Sequence, residues 1–108
     1  MNARVVPTRA DVLEALREVI DPELGYNIVD LGFIYSLEIV DGVVEITMTA
    51  TTPGCPAKDY IVAGVRECAA RIPGVKDVDV TLVWEPAWSP ARMQSEARIH
   101  FNMPDDEP

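Results

Sequence analysis

The chain is short of the residues that build metal and redox sites unaided. It has two cysteines, Cys55 and Cys68, a single histidine, His100, and no Cys-x-x-Cys pair. A closed zinc site needs about four Cys or His ligands, so one copy of this chain cannot form one. Two cysteines are also too few for a disulfide framework, and free thiols fit a reducing compartment.

Positive charge and long apolar runs are scarce as well. Nine Lys and Arg stand against 18 Asp and Glu, giving a formal charge of −9, which disfavours a nucleic-acid or anionic-membrane surface. No apolar run approaches the ~20 residues of a membrane span, and no secretion signal is present. Thr52-Pro53-Gly54 lacks the Gly-Lys-Ser/Thr of a phosphate loop. We therefore expect a cytoplasmic protein with neither nucleic acid nor membrane as partner.

The pattern of apolar residues predicts one small domain over residues 1–108, with a frayed arm at 1–7 and a disordered acidic tail at 103–108. The expected fold class is α/β of the two-layer α+β kind, a mixed three-stranded sheet covered by helices on one face, in the order α-β-β-α-β-α. The predicted elements are a helix from the N-cap Thr8 to Asp21, strands over 33–39 and 43–50 joined by an Asp41-Gly42 type I′ turn, a helix over 56–72, a strand over 77–84, and a last short helix from Ser89-Pro90 that carries Met93, Ala97 and Phe101.

The chemical centre predicted from the residues is Cys55. It lies between a strand end and a helix start, where Gly54 permits a sharp turn and Pro56 suits the first helical position. Cys55 is then expected at or beside the N-cap, where free N–H groups and the helix dipole favour a thiolate, with Lys58 adding positive charge. Cys68 falls on the apolar stripe of the same helix, and we interpret it as a small core residue.

The neighbours of this centre leave alternatives open. Asp21 and Glu23 flank a proline and form either a polar lip near Cys55 or a helix-terminal turn with solvated acids. The hydroxyls of Thr51 and Thr52 lie beside Cys55 or are ordinary turn residues. A nucleophilic pair of Cys55 with His100 is chemically allowed, but His100 is expected on the surface near the end of the last helix.

Three further residues are assigned from their local pattern. Asp30 is expected to bond neighbouring backbone N–H groups. Trp84 is expected to close the end of the core, and Trp88 is left open between the core and an exposed docking patch.

A lone activated thiolate can also serve as one ligand of an iron–sulfur cluster when a second chain supplies the others, or it can be a plain structural cysteine.

Several blocks of the sequence, in order, resemble the SufT/PaaD-like iron–sulfur assembly domain family. They run over 21–24, 27–35, 47–56, 74–80 and 84–93, and include Asp-Pro-Glu-Leu, Thr-Thr-Pro-Gly-Cys-Pro and Trp-Glu-Pro-Ala-Trp. The resemblance implies a compact domain like the carboxy-terminal domain of NifU-type scaffolds and a role in maturing iron–sulfur proteins. By position it makes Cys55 the reactive cysteine and candidate cluster or iron ligand, with Asp21, Glu23, Thr51, Thr52 and Gly54 around its pocket.

The chain also departs from its better-known relatives in this resemblance. NifU-type scaffolds hold a cluster with a Cys-x-x-Cys pair, whereas this chain has Lys58 at the second position. It lacks the cysteine-rich tail of PaaD-type members and the fused ATPase of cluster carriers. We therefore expect no cluster stably bound by one chain, but a transient cluster or iron shared between chains.

The resulting hypothesis is a non-enzymatic maturation factor whose partners are client apoproteins, other assembly proteins and a second copy of itself. Two alternatives differ in class. One is a docking adaptor that binds clients through Trp88 and never binds metal. The other is a thiol enzyme with Cys55 as nucleophile, which needs a lowered thiol pKa.

Overall fold

The computed structural model of the chain describes residues 6–51, 54, 56–94, 97 and 99. Its elements are α1 (Arg9–Leu16), β1 (Ile20–Asp21), β2 (Tyr26–Asn27), β3 (Ile34–Val40), β4 (Val43–Met48), α2 (Lys58–Ala70), β5 (Asp77–Leu82) and a 3₁₀ turn (Pro90–Arg92).

The main sheet is mixed and three-stranded, as predicted. Its order is β3-β4-β5, with β4 antiparallel to β3 and parallel to β5. The parallel pair is joined through α2, the crossover that a strand–helix–strand unit requires. The hairpin turn is also as predicted, since Asp41 and Gly42 both have positive φ, of 52° and 83°, which a type I′ turn demands.

The core lies between this sheet and the two helices, which contact each other while α1 also contacts β3 and α2 contacts β5. Alternate residues of β4 point inward, so Val44, Ile46 and Met48 are buried while Glu45 is exposed. Helix α2 adds Ile61, Val65 and Ala69 at helical spacing. The α+β class predicted from the sequence is therefore confirmed.

The first helix is shorter than predicted. Thr8 caps it through a capping box with Asp11, but it ends at Leu16 and not at Asp21. The chain turns at Arg17 and Glu18, and Ile20 then enters β1, which pairs with β2 in a second, two-stranded sheet. Ile20 and its neighbour Val19 are β-branched, a side-chain shape that favours strands. The prediction of an uninterrupted helical stripe through Ile20 was wrong.

The segment after β5 differs in detail from the expected helix. Pro90–Arg92 forms a 3₁₀ turn and Met93 follows it with extended backbone, whereas Ala97 and Ile99 are helical. Met93 and Ala97 are buried in the core, as their spacing suggested. Phe101 and His100 lie outside the described residues. Trp88 is the tryptophan that packs against the core, whereas Trp84 is half-buried at the end of β5.

Candidate functional site

The candidate site lies at one end of the main sheet, beyond the last residue of β4. Thr49 and Ala50 continue from β4 and are buried, and Thr51 is half-buried. The backbone N–H of Thr49 donates to Phe33 O at 2.9 Å, and its hydroxyl donates to Val83 O at 2.6 Å. The loop that follows β4 thus starts from Thr49, which is hydrogen-bonded to the chain next to β3 and to the chain next to β5. Because β5 runs parallel to β4, the chain leaving β5 starts from this same end of the sheet.

Helix α2 begins later than predicted, which changes the position of Cys55. Its N-cap is Ala57, whose carbonyl accepts the first helical bond from Ile61 N at 2.9 Å, so Pro56 precedes the helix. Cys55 therefore stands two residues before the N-cap and not at it. An alanine has no side chain to cap the free N–H groups of the first turn, and no side-chain cap is present at Ala57.

The most unusual polar group of the described chain is the carboxylate of Asp21. The residue is completely buried. Its Oδ1 accepts hydrogen bonds from Glu23 N at 2.7 Å and Leu24 N at 3.1 Å, and its carbonyl accepts from Gly25 N at 2.7 Å. Among the described residues, its Oδ2 has no hydrogen-bond partner. Of the two alternatives left open, solvated acids at a helix end is therefore wrong for Asp21.

Val19 and Ile20, which lead into Asp21, lie against α2. A methyl group added to Gly64 would stand 3.3 Å from Val19 Cγ1, and Ile20 lines one groove together with Tyr60 of the same helix. Asp21 follows them in β1, where it pairs with Tyr26 of β2.

The other predicted pocket residues are only partly within the described chain. Glu23 and Gly54 are exposed, and Thr51 is half-buried beside the buried Ala50. Thr52 and Cys55 lie outside the described residues. Among the described residues, no group of three or more His, Cys, Asp or Glu side chains could hold a metal ion.

A second buried aspartate was only partly anticipated. Asp30, which is 4% exposed, accepts from Arg17 Nη2 at 3.2 Å and from Asn27 Nδ2 at 3.1 Å, while its own N–H donates to Asn27 Oδ1 at 2.9 Å. Partial burial lowers the pKa of Arg17, but the hydrogen bond and charge of Asp30 outweigh it and raise that pKa above its ordinary value. Asp30 is thus structural, as expected, but its carboxylate binds side chains and not backbone N–H groups. Asn-x-x-Asp was the available signal for the Asn27 contact, whereas nothing local pointed to Arg17.

The segment from Pro86 to Gln94, here called the strap, is bound across the residues that precede β3. Trp88 Nε1 donates to Leu31 O at 2.7 Å, and its ring meets Phe33 edge-on at a centroid distance of 5.4 Å. Gln94 N donates to Asp30 O at 2.7 Å. The indole N–H of Trp88 is therefore used inside the molecule, and only part of its ring remains accessible for the predicted docking role.

Three contacts of the strap, two with Tyr35 and one with Gly32, were missed by sequence reasoning. Tyr35 Oη donates to Pro86 O at 2.8 Å, and the guanidinium of Arg92 lies 4.7 Å from the Tyr35 ring centroid, in a cation–π contact. Gly32 has φ +84°, and a Cβ there would collide with the Arg92 carbonyl. A glycine at the end of the Asp-Leu-Gly block was the one signal for this close approach.

The other thiol has the environment expected of a packing residue. Cys68 is half-buried on α2 and packs against the core. Burial raises its pKa, and the negative charge of Glu18 adds to that effect. At neutral pH Cys68 is therefore protonated and a poor nucleophile or metal ligand.

Comparison with known proteins identifies the family. A family model described as iron–sulfur cluster assembly protein matches residues 9–82, about two thirds of the chain. The chain belongs to this iron–sulfur assembly family. It is 42% identical over 102 residues to an Fe-S protein maturation auxiliary factor of Porphyromonas gingivalis, covering 94% of this chain and 97% of that protein.

Two further family members support the assignment. The Fe-S protein maturation auxiliary factor SufT of Staphylococcus aureus is 43% identical over 82 residues, covering 75% of this chain and 93% of its own. A crystal structure of a domain of unknown function from Bacillus anthracis superposes with a TM-score of 0.82 at 37% identity, covering 88% of this chain and 92% of that one. The predicted SufT-like resemblance and fold are therefore confirmed. No helix among the described residues is long and apolar enough to cross a membrane.

Proposed function

We propose that this protein is an iron–sulfur maturation factor that uses Cys55 as a transient ligand for iron or a cluster, which is its cargo and not a resident cofactor. The observation that carries the proposal is the buried carboxylate of Asp21, whose Oδ2 has no hydrogen-bond partner among the described residues. Membership in an iron–sulfur assembly family, with relatives that are Fe-S protein maturation auxiliary factors, supplies the chemical context.

The unpaired oxygen matters because a buried oxygen without a hydrogen bond lowers the stability of the fold. A buried acceptor without a donor costs about 1–3 kcal/mol, and more for a charged group. The fold fixes the Oδ1 side through Glu23 N and Leu24 N, so the carboxylate cannot simply rotate away. In this proposal the second oxygen of Asp21 accepts a hydrogen bond from the Cys55 thiol or faces a metal ion bound there.

The ligands available in one chain favour transfer over storage. One thiolate and one carboxylate fall short of the four thiolates usual for an iron–sulfur cluster. A cargo bound this way needs ligands from a client, from another assembly protein or from a second copy of the chain, and it leaves when those are withdrawn. In this proposal Glu23, Thr51, Thr52 and Gly54 line the pocket of a single cytoplasmic domain.

Two other properties follow from the same proposal. In this proposal the protein is not an enzyme, because Cys55 binds the cargo as a ligand and does not catalyse a reaction. This fits its relatives, which are auxiliary factors. Its partners are client iron–sulfur apoproteins. The alternative, an adaptor that docks clients through the accessible part of Trp88 without metal, is separated by the experiment below.

The test is anaerobic reconstitution with ferrous iron and sulfide, read by visible absorption and native mass. Wild type and Cys68→Ser, the matched control, are expected to develop a chromophore, and Cys55→Ser is expected to stay colourless with an unchanged thermal transition. A chromophore that persists in Cys55→Ser contradicts the proposal. Colourless but folded wild type favours the adaptor.

A further inference from the structure

A groove separates the outer surface of α2 from the chain that links α1 to β1. It has a volume of about 370 Å³ and lies between Ile20 on one side and Tyr60 on the other. Gly64 forms part of the floor, where the absence of a side chain lets Val19 approach the helix closely. We call it the Ile20–Tyr60 groove.

Two exposed hydrophobic side chains line this groove. Ile20 is 43% exposed and Tyr60 is 64% exposed, and both belong to the five large hydrophobic side chains that the described residues expose. The other three, Val6, Val40 and Ile99, do not line it. Two exposed apolar side chains converging on one concave surface are typical of a site that a partner's side chain fills.

The charge on the rim indicates what kind of partner fits. Glu18 and Glu67 both line the groove. Glu67 pairs with Arg71 at 3.0 Å across an exposed surface, whereas no ion pair of the described residues includes Glu18. The whole chain carries −9, so a second copy would bring more of the same charge to an acidic rim.

We infer that the Ile20–Tyr60 groove docks a basic segment of a partner protein, one apolar or aromatic side chain flanked by Lys or Arg. The inference deepens the proposed function and rests on it for the partner's identity as an assembly protein or client. Ile20 immediately precedes Asp21, and Tyr60 lies five residues after Cys55. A partner seated in the groove is thereby held beside the proposed cargo site.

The test is an NMR titration of ¹⁵N-labelled Cys55→Ser protein, without iron, with the acetylated and amidated peptide Lys-Lys-Phe-Lys-Lys. Shift changes are expected at Tyr60 and Gly64, and they should shrink as salt is added. Ile20→Ser and Tyr60→Ser are each expected to weaken binding about tenfold. Val40→Ser, which removes an equally exposed apolar side chain at the distant hairpin turn, is the matched control and should bind as before.

Three outcomes overturn the inference. The first is an equal response to Lys-Lys-Gly-Lys-Lys, because it would mean that charge alone binds the peptide. The second is a response centred on the exposed acidic face of the sheet, at Glu38 and Glu45, or no response at all. The third is self-association through the groove, seen as a concentration-dependent mass that Tyr60→Ser abolishes. The titration uses no metal, so its failure leaves the reconstitution result standing.

Discussion

Among the residues that the structure describes, two aspartates nine positions apart are buried, and their surroundings differ completely. Asp30 is bound by Arg17 and Asn27, and its backbone carbonyl accepts from Gln94 of the strap. Asp21 is more deeply buried, yet one oxygen of its carboxylate has no hydrogen-bond partner within the described part of the chain. Proteins satisfy buried polar groups wherever only stability matters, so an unsatisfied one indicates a position kept for another purpose. The comparison separates two regions. In the region around Asp30, here called the braced region, both oxygens of the buried carboxylate are hydrogen-bonded. In the region around Asp21, here called the poised region, one carboxylate oxygen is left without a partner among the described residues.

The largest effect is expected from Gly32→Ala, which breaks the braced region. The new methyl group meets the Arg92 carbonyl at a position with φ +84°, so both strain and collision oppose it. We expect the free energy of unfolding to fall by about 3 kcal/mol or more, measured by urea titration.

Gly25→Ala is the matched control for that substitution in the poised region. Gly25 also has positive φ, +71°, but nothing lies within 4 Å of its added Cβ. Only the backbone cost of about 1 kcal/mol should appear. Equal losses in the two variants would mean that the strap does not press on Gly32.

The next effect tests the two carboxylates directly. Asp30→Asn removes the charge that Arg17 faces in a partly buried position, and we expect a loss of about 1–3 kcal/mol. Asp21→Asn keeps an oxygen for the N–H groups of Glu23 and Leu24 and removes a buried charge, so stability should change by less than about 1 kcal/mol. The same Asp21→Asn protein should develop less colour in the iron reconstitution.

A matched pair of urea titrations decides this point. If Asp21→Asn costs as much as Asp30→Asn, its second oxygen has a stabilising partner, and the contrast between the two regions is lost. If it costs little and colour is retained, Asp21 is dispensable for the cargo site.

The smallest effect concerns Cys68, which belongs to neither region. Its pKa is raised in the folded protein by burial and by Glu18, so folding favours the protonated thiol. This contribution is complete below the unfolded thiol's pKa of about 8.5 and is lost as pH rises through the higher folded value. The stability advantage of wild type over Cys68→Ala should therefore shrink, by a few tenths of a kcal/mol, between about pH 7 and about pH 10. An advantage that grows with pH would contradict the raised pKa.

Local signals predicted most of the architecture. The Thr8 N-cap, the Asp41-Gly42 turn and the strand over β4 each depend on signals within a few residues, and each was found where expected. The end of α1 was not predicted correctly, because Val19 and Ile20 fit the period of a helix and the composition of a strand equally well. Only pairing with β2, a tertiary choice, decides between them.

The site was predicted less completely for the same reason. The resemblance to a family placed Asp21 near Cys55, but local sequence did not indicate that Asp21 is buried in a strand paired with β2. The Arg17–Asp30 pair and the Trp88–Leu31 bond join residues 13 and 57 positions apart, distances at which periodicity carries no information.

The strap has a consequence for the order in which the chain folds. The β3–β4 hairpin closes through a two-residue turn, so its contacts can form within microseconds. The strap's bonds, Tyr35 to Pro86 and Trp88 to Leu31, close loops of 51 and 57 residues and cannot be secured until β5 has docked. During synthesis Thr49, at the end of β4, emerges 34 residues before Val83, whose carbonyl accepts its hydroxyl. That end of the sheet therefore keeps a polar group exposed to solvent until β5 and the strap have docked.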